Sequence, residues 1–141
     1  MKVNTYLNYG GNCGEAFRFY EKELGARINM LMTHDQNPGP SRLSAELGKT
    51  VLHASITIAG TTIMASDVPP DRFQPIRSVY LSLSVDSDSE AERIYALLSE
   101  GGQVFMPIQE TFFATRFAQL RDRFGTSWMI IHDKQMGPPQ G

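Results

Sequence analysis

His53 lies in the run Val51 to Ile58, where Val51, His53, Ser55 and Thr57 alternate with Leu52, Ala54, Ile56 and Ile58. A period of two puts the first set on one face of a strand and the second on the other. With the apolar set turned to a core, the imidazole and Ser55 face outward. A group that titrates near pH 6.5 can serve there as a general acid or base, or orient a ligand. A wall histidine hydrogen-bonded to Ser, Tyr or water fits the same position. Ser78 to Val85 alternate in the same way, with Val79, Leu81, Leu83 and Val85 on one face and Tyr80, Ser82 and Ser84 on the other. In Val3 to Tyr9, Asn4, Tyr6 and Asn8 share a polar face, with Leu7 and Tyr9 behind.

Glu110 and Thr111 stand beside two adjacent aromatics, Phe112 and Phe113. A carboxylate flanked by aromatics on a loop reads as a lid or cleft rim, or as a contact between copies of the chain. Arg116 opens the next strand and would pair with Glu110 or hold an anionic ligand as a bidentate donor. Trp128 is expected to pack in a core. Cys13, the single cysteine, reads as a buried thiol at the start of a helix. His34 with Asp35, and His132 with Asp133, are adjacent pairs whose side chains would diverge, so all four read as surface. The Gly10-Gly11-Asn12 turn is not a phosphate loop or a dinucleotide fingerprint.

These residues must be positioned by a repeated set of elements. Val3–Tyr9 reads as a strand closed by Gly10-Gly11. Asn12 and Glu15 have the spacing of a capping box before a helix from Cys13 to Leu24, and Gly25 ends it. Arg27–Thr33 reads as a strand, Asn37-Pro38-Gly39-Pro40 as a loop, and Leu43–Leu47 as extended. Thr50–Ile58 and Thr61–Ser66 are strands, followed by a linker from Pro69 to about Ile76. The order then returns. Ser78–Val85 is a strand, Ser87 or Ser89 caps a helix ending at Gly101, and Gln103–Met106 is a short strand. Thr115–Arg121 and Thr126–His132 are the last two strands. Glu15-Ala16 matches Glu90-Ala91 at an offset of 75, and Gly60-Thr61-Thr62-Ile63-Met64 matches Gly125-Thr126-Ser127-Trp128-Met129 at an offset of 65. Two ordered matches within one βαβββ pattern indicate a duplication. The fold class is therefore α+β, with two βαβββ modules forming a half-open, barrel-like cleft. The polar faces would line that cleft, with Glu110 and Phe113 at its mouth.

Composition narrows the setting. The chain has 141 residues, 41% of them apolar, with a net charge of −2. That length suits one domain able to bury a core without disulfides or structural metal. Residues 1–134 are expected to form it, in halves of about 1–67 and 78–134, with 135–141 as a flexible tail. The charge balance argues against nucleic acid as a partner. No apolar run reaches the roughly 20 residues of a membrane span, and the N-terminus enters a strand-like pattern directly. A single cysteine suits a reducing cytoplasm.

Several segments together resemble a known family. They are Tyr6-Leu7 with Gly11-Asn12-Cys13, Ala16-Phe17-Arg18-Phe19-Tyr20, Leu52-His53-Ala54 and Met64-Ala65-Ser66-Asp67. To these add Met106-Pro107-Ile108-Gln109-Glu110-Thr111-Phe112, Arg116-Phe117 and Asp122-Arg123-Phe124-Gly125-Thr126-Ser127-Trp128-Met129. The chain resembles the PhnB-like branch of the vicinal oxygen chelate superfamily, also called the glyoxalase/bleomycin resistance/dioxygenase fold. Phe113 stands where that pattern has Trp. The resemblance implies a homodimer. It also implies a divalent metal held from the first and fourth strands of each half, at Asn4 (or Thr5), Met64, Tyr80 and Met129. A carbonyl, two thioethers and a neutral phenol with a pKa near 10 suit no hard divalent ion, so no metal and no cofactor is expected. The branch is often labelled as ubiquinone-biosynthesis methyltransferases, yet no Gly-rich loop suited to S-adenosylmethionine follows a strand here. The expected function is binding of a small molecule in the cleft. The candidate residues are His53 and Glu110 for chemistry, with Tyr6, Asn8, Ser55, Tyr80, Ser82, Phe113 and Arg116 for the ligand. The alternative is an enzyme of the lyase, isomerase or dioxygenase type, using a metal or His53 as acid/base.

Overall fold

The computed structural model describes residues 1–36 and 45–134. The elements are β1 (Thr5–Tyr9), α1 (Cys13–Leu24), β2 (Arg27–Thr33), α2 (Ala45–Gly48), β3 (Val51–Ile58) and β4 (Thr61–Asp67). They continue with β5 (Leu81–Ser84), α3 (Asp88–Ser99), β6 (Gln103–Gln109), β7 (Ala114–Arg121) and β8 (Ser127–Asp133). They fall into two units, Met1–Gln74 and Pro75–Gly141. Each unit holds one four-stranded sheet, ordered β1-β4-β3-β2 in the first and β5-β8-β7-β6 in the second. In both, the first pair is parallel and the other two are antiparallel. The α+β class and the duplicated βαβββ order follow the repeat in the sequence.

In the first unit α1 buries Cys13, Gly14, Ala16, Phe17 and Tyr20, a stripe at helical spacing. The facing side of the sheet supplies Leu7, Tyr9, Ala54, Ile56, Ile63 and Ala65, all buried. Tyr9 meets Phe17 edge to face, with ring centroids 6.1 Å apart. Gly25 ends the helix in the left-handed conformation, φ 66°, which a residue without Cβ adopts at little cost. The other end departs from the sequence pattern. Asn12 makes no side-chain capping bond. The cap is Asp67, from the far end of β4. Its Oδ1 accepts from the Gly11 and Cys13 N–H groups at 2.9 and 3.0 Å. Its Oδ2 accepts from Val51 N–H at 2.8 Å. One carboxylate thus ties the starts of α1 and β3 to the end of β4.

In the second unit α3 begins as expected, with Ser87 Oγ accepting from Glu90 N–H at 3.1 Å. Ala91, Ile94 and Leu98 face the core, where Leu120, Trp128 and Ile130 are fully buried. Trp128 is a core residue, as its place in the repeat predicts. Its Nε1 donates to Asp122 Oδ2 at 2.8 Å, while Asp122 Oδ1 accepts from the Phe124 and Thr126 N–H groups, both at 3.0 Å.

Several boundaries are corrected by strand pairing. Val3 and Asn4 lie outside β1, and Val3 is exposed, because the ladder to β4 opens at Thr5 opposite Ile63. Val79 is also exposed and Tyr80 precedes β5, whose ladder to β8 opens at Leu81. Val51 is buried, although alternation groups it with His53, because a register shift falls between Met32 and Thr33 on the partner strand. β6 continues through Pro107 to Gln109. It is an edge strand, where a missing N–H is tolerated. Ala45–Gly48 is a helical turn, not an extended segment. The loop Asn37–Pro40, most of the stretch read as extended, and the tail 135–141 lie outside the described residues.

Asp67→Ala is expected to destabilise the fold by about 2 kcal/mol or more, because three backbone donors lose a charged acceptor. Urea unfolding of the wild-type and variant chains measures it.

Candidate functional site

With α1 covering one side of the first sheet, the opposite side carries the polar alternates. Tyr6, Met64, Ser55 and Met30 form one cross-strand row. Asn8 pairs with Ser66, and His53 with Met32. Tyr6, Met30 and Met32 are 48%, 40% and 38% exposed, so this face is accessible. Tyr6 Oη and His53 Nδ1 are 3.3 Å apart, with ring centroids at 5.8 Å. An imidazole that accepts at Nδ1 carries its proton on Nε2, where it can meet a ligand acceptor. Around the pair, Asn29 Nδ2 donates to Ser55 Oγ at 3.3 Å and Thr57 Oγ1 at 2.9 Å. Ser66 Oγ donates to Asn8 Oδ1 at 3.2 Å. Of the residues singled out in the sequence, Tyr6, Asn8, His53 and Ser55 thus share one face. Met64, named for the fourth strand, stands in the row as well; spacing does not reveal Met30, nor Asn29, which reaches that face at a register shift between Ile28 and Met30.

The second sheet repeats the row with different chemistry. Ser82, Met129, Gln119 and Met106 are aligned across its four strands. Tyr80 stands apart from the ladder. Its hydroxyl accepts from Arg77 Nη1 at 3.1 Å, and the Arg77 guanidinium lies 3.9 Å from the centre of the Phe105 ring. Phe113 stacks edge to face on Phe112 and Phe117, with centroids 5.1 Å apart in each case. Glu110 is largely exposed and lies 3.4 Å from Lys134 Nζ.

Arg116 does not pair with Glu110. Its Nε reaches Glu92 Oε1 at 3.0 Å and its Nη1 lies 3.5 Å from Asp88 Oδ2. The Glu92 hydrogen bond is the main reason its guanidinium is held above its ordinary pKa. Both partners come from α3, which ties that helix to β7. His132 is likewise not a free surface group. Its Nδ1 sits 2.8 Å from both Asp88 Oδ1 and Thr115 Oγ1. Thr115 Oγ1 also donates to Asp88 Oδ1 at 2.5 Å. Adjacency of His132 and Asp133 conceals this, because the true partner is 44 residues away. The hydrogen bonds from Thr115 and then His132 hold the Asp88 carboxyl below its ordinary range.

A divalent metal of the kind the resemblance implies does not fit these residues. Register places Tyr6 beside Met64 and Ser82 beside Met129, so Tyr6 and Ser82 replace Asn4 and Tyr80 at the positions that matter. A phenol, a hydroxyl and two thioethers make no hard-ion site. Among the described residues no three His, Cys, Asp or Glu side chains cluster as ligands. The strand–helix turn at Gly10–Gly14 does not fit a nucleotide-type cofactor either. Its Gly11 and Cys13 amides are bound to Asp67. A Cβ on Gly10 would come within 3.0 Å of the Phe73 ring.

A family model described as 3-demethylubiquinone-9 3-methyltransferase matches residues 1–131. The chain is 32% identical to Protein YjdN of Escherichia coli (strain K12), over 96% of this chain and 97% of that one. The crystal structure of protein PA1353 from Pseudomonas aeruginosa superposes with a TM-score of 0.82 at 35% identity, covering 94% of this chain and 98% of that one. The PhnB protein of Bacillus cereus gives 0.80 at 26% identity, covering 94% and 99%. A glyoxylase/bleomycin resistance protein/dioxygenase domain from Frankia sp. EAN1pec shares the fold, with a TM-score of 0.62 at 17% identity and coverage of 95% and 98%. No helix among the described residues is long and apolar enough to cross a membrane.

Two outcomes follow from the titrating groups. Burial pushes the Cys13 thiol up to about 12, with Asp67 adding to the rise and Arg18 opposing it. The thiol therefore stays neutral at pH 8, and a disulfide reagent should leave the native chain unmodified while titrating one thiol after unfolding. Asp88 behaves oppositely. Because its folded pKa is depressed, its contribution to stability is present above the unfolded value of about 3.9 and is lost as pH falls through the folded one. Asp88→Asn is expected to flatten the acid limb of the stability curve, measured by urea unfolding from pH 6 downward.

Proposed function

The chain belongs to the PhnB-like 3-demethylubiquinone-9 3-methyltransferase family, on the vicinal oxygen chelate fold, and we propose that it binds a small molecule on the open face of its first sheet, around Tyr6 and His53. One observation carries this reading. A hydrogen-bonded phenol–imidazole pair stands on an accessible sheet face, in a row with two methionines. Thioethers and aromatic rings offer an adaptable apolar surface, and His53 Nε2 offers one directional hydrogen bond, as donor where Nδ1 accepts from Tyr6 Oη. That combination suits a ligand with an apolar body and few polar groups.

The same geometry favours binding over catalysis. Acid/base work by a histidine is commonly supported by a carboxylate that orients the ring, and the group beside His53 Nδ1 here is the Tyr6 hydroxyl. The strand–helix turn gives methyl transfer no support, since its Gly11 and Cys13 amides are bound to Asp67 and not open to a cofactor. Ser82, with Met129, is read as the related surface of the second sheet. Tyr80, Phe113 and Glu110 border that surface, whereas Arg116, held by Glu92 and Asp88 of α3, lies on the helix side. Residues 1–134 act as one functional domain in this proposal, as a homodimer in the cytoplasm.

Screening a metabolite library by thermal shift identifies a ligand, and calorimetry then compares variants. His53→Ala is expected to weaken binding by about 1 kcal/mol or more while leaving the urea midpoint nearly unchanged. An unaltered affinity, or a variant that no longer folds, contradicts the assignment.

A further inference from the structure

A cavity of about 260 Å³ lies between the first turn of α1 and the ends of β2, β3 and β4. It shares no lining residue with the Tyr6–His53 face. Asn12, Glu15, Arg18, Lys49 and Asp67 supply its polar lining, with Leu31 and Val51 as apolar wall. We propose that this cavity binds a small zwitterion of the amino-acid type. Its carboxylate would meet Arg18 and Lys49, and its ammonium would meet Glu15.

The charges argue for both ends of such a ligand. Among the described residues the ion pairs involve neither Arg18, Lys49 nor Glu15. Asp67 differs, since its two oxygens already accept three backbone N–H bonds. It also takes up the amides of the helix start, so the helix terminus itself is not the anion site. Two cations and two carboxylates leave the lining without net charge. A simple anion gains nothing overall there, whereas a ligand carrying both signs can satisfy the unpaired groups at once.

One further observation fits. The Arg18 guanidinium lies against Gly14, where a Cβ would approach Nη2 to 3.1 Å. Glycine at that position lets the arginine rest over the first turn, at the cavity. The volume falls below the roughly 300–1,000 Å³ of drug-sized pockets, which suits a free amino acid.

The test is a ¹H–¹⁵N titration of the full chain with glycine, L-alanine and L-serine, with acetate and methylammonium as single-charge controls. The amino acids are expected to give saturable shifts at Gly11, Asn12, Gly14 and Lys49, with the controls weaker by about tenfold or more. Arg18→Gln and Lys49→Gln, both on exposed side chains, should each weaken binding about tenfold. Gly14→Ala should weaken it by displacing the guanidinium, without loss of helix. Absence of saturable shifts, acetate binding as well as glycine, or affinity unchanged in both charge variants overturns the proposal. A ligand at Tyr6 and His53 would perturb a different set of amides, so the two sites succeed or fail separately.

Discussion

The Asp67 carboxylate fixes the geometry on which the first unit depends. Three backbone donors from two other elements converge on it, so the helix start, the beginning of β3 and the end of β4 are held at one point. That tie seats the apolar stripe of α1 against Leu7, Tyr9, Ala54 and Ile56. Because one face of the sheet is closed in this way, the opposite face is the one left to present Tyr6 and His53. In the second unit the position equivalent by the repeat is His132, 65 residues on. It binds Asp88 at the start of α3 and Thr115 at the start of β7. The same three elements are joined, but by side chains. A carboxylate gathering amides in one half and an imidazole gathering a carboxylate and a hydroxyl in the other solve the same problem of placing a helix on a sheet.

Much of this was legible before the structure. The two offsets in the sequence correspond to two sheets of identical strand order. The helix from Cys13 to Leu24 has the bounds that its apolar spacing and Gly25 predict. Alternation also put His53, Ser55, Tyr6 and Asn8 on exposed faces. Other features were hidden for physical reasons. Alternation continues past the last paired residue, so it could not show that Val3 and Val79 lie outside the ladders. Caps supplied from a distance leave no local spacing, so Asn12 and Glu15 looked like the cap and Asp67 did not. For the same reason the sequence suggests Glu110 or an anionic ligand as the partner of Arg116 and hides Glu92 on α3. The Tyr6–His53 contact depends on strand order. β4 lies between β1 and β3, and a long phenol side chain is needed to reach across it.

The two open faces carry the same positions with different residues. The row Tyr6, Met64, Ser55, Met30 corresponds to Ser82, Met129, Gln119, Met106. Methionine recurs on the strands matched by the repeat, while the polar members differ. A site for a hard cation would need carboxylate or imidazole at these places. Soft, flexible side chains with a single phenol–imidazole pair are better suited to holding an organic molecule by contact area and one directed hydrogen bond.

The most direct measurement of that claim is a crystallographic fragment soak of the full chain, read as the distribution of bound fragments over the surface. The account predicts fragments seated on Tyr6 and Met64 with an acceptor atom at hydrogen-bond distance from His53 Nε2. Fragments distributed elsewhere, with that face bare in every soaked crystal in which it is solvent-accessible, would contradict it.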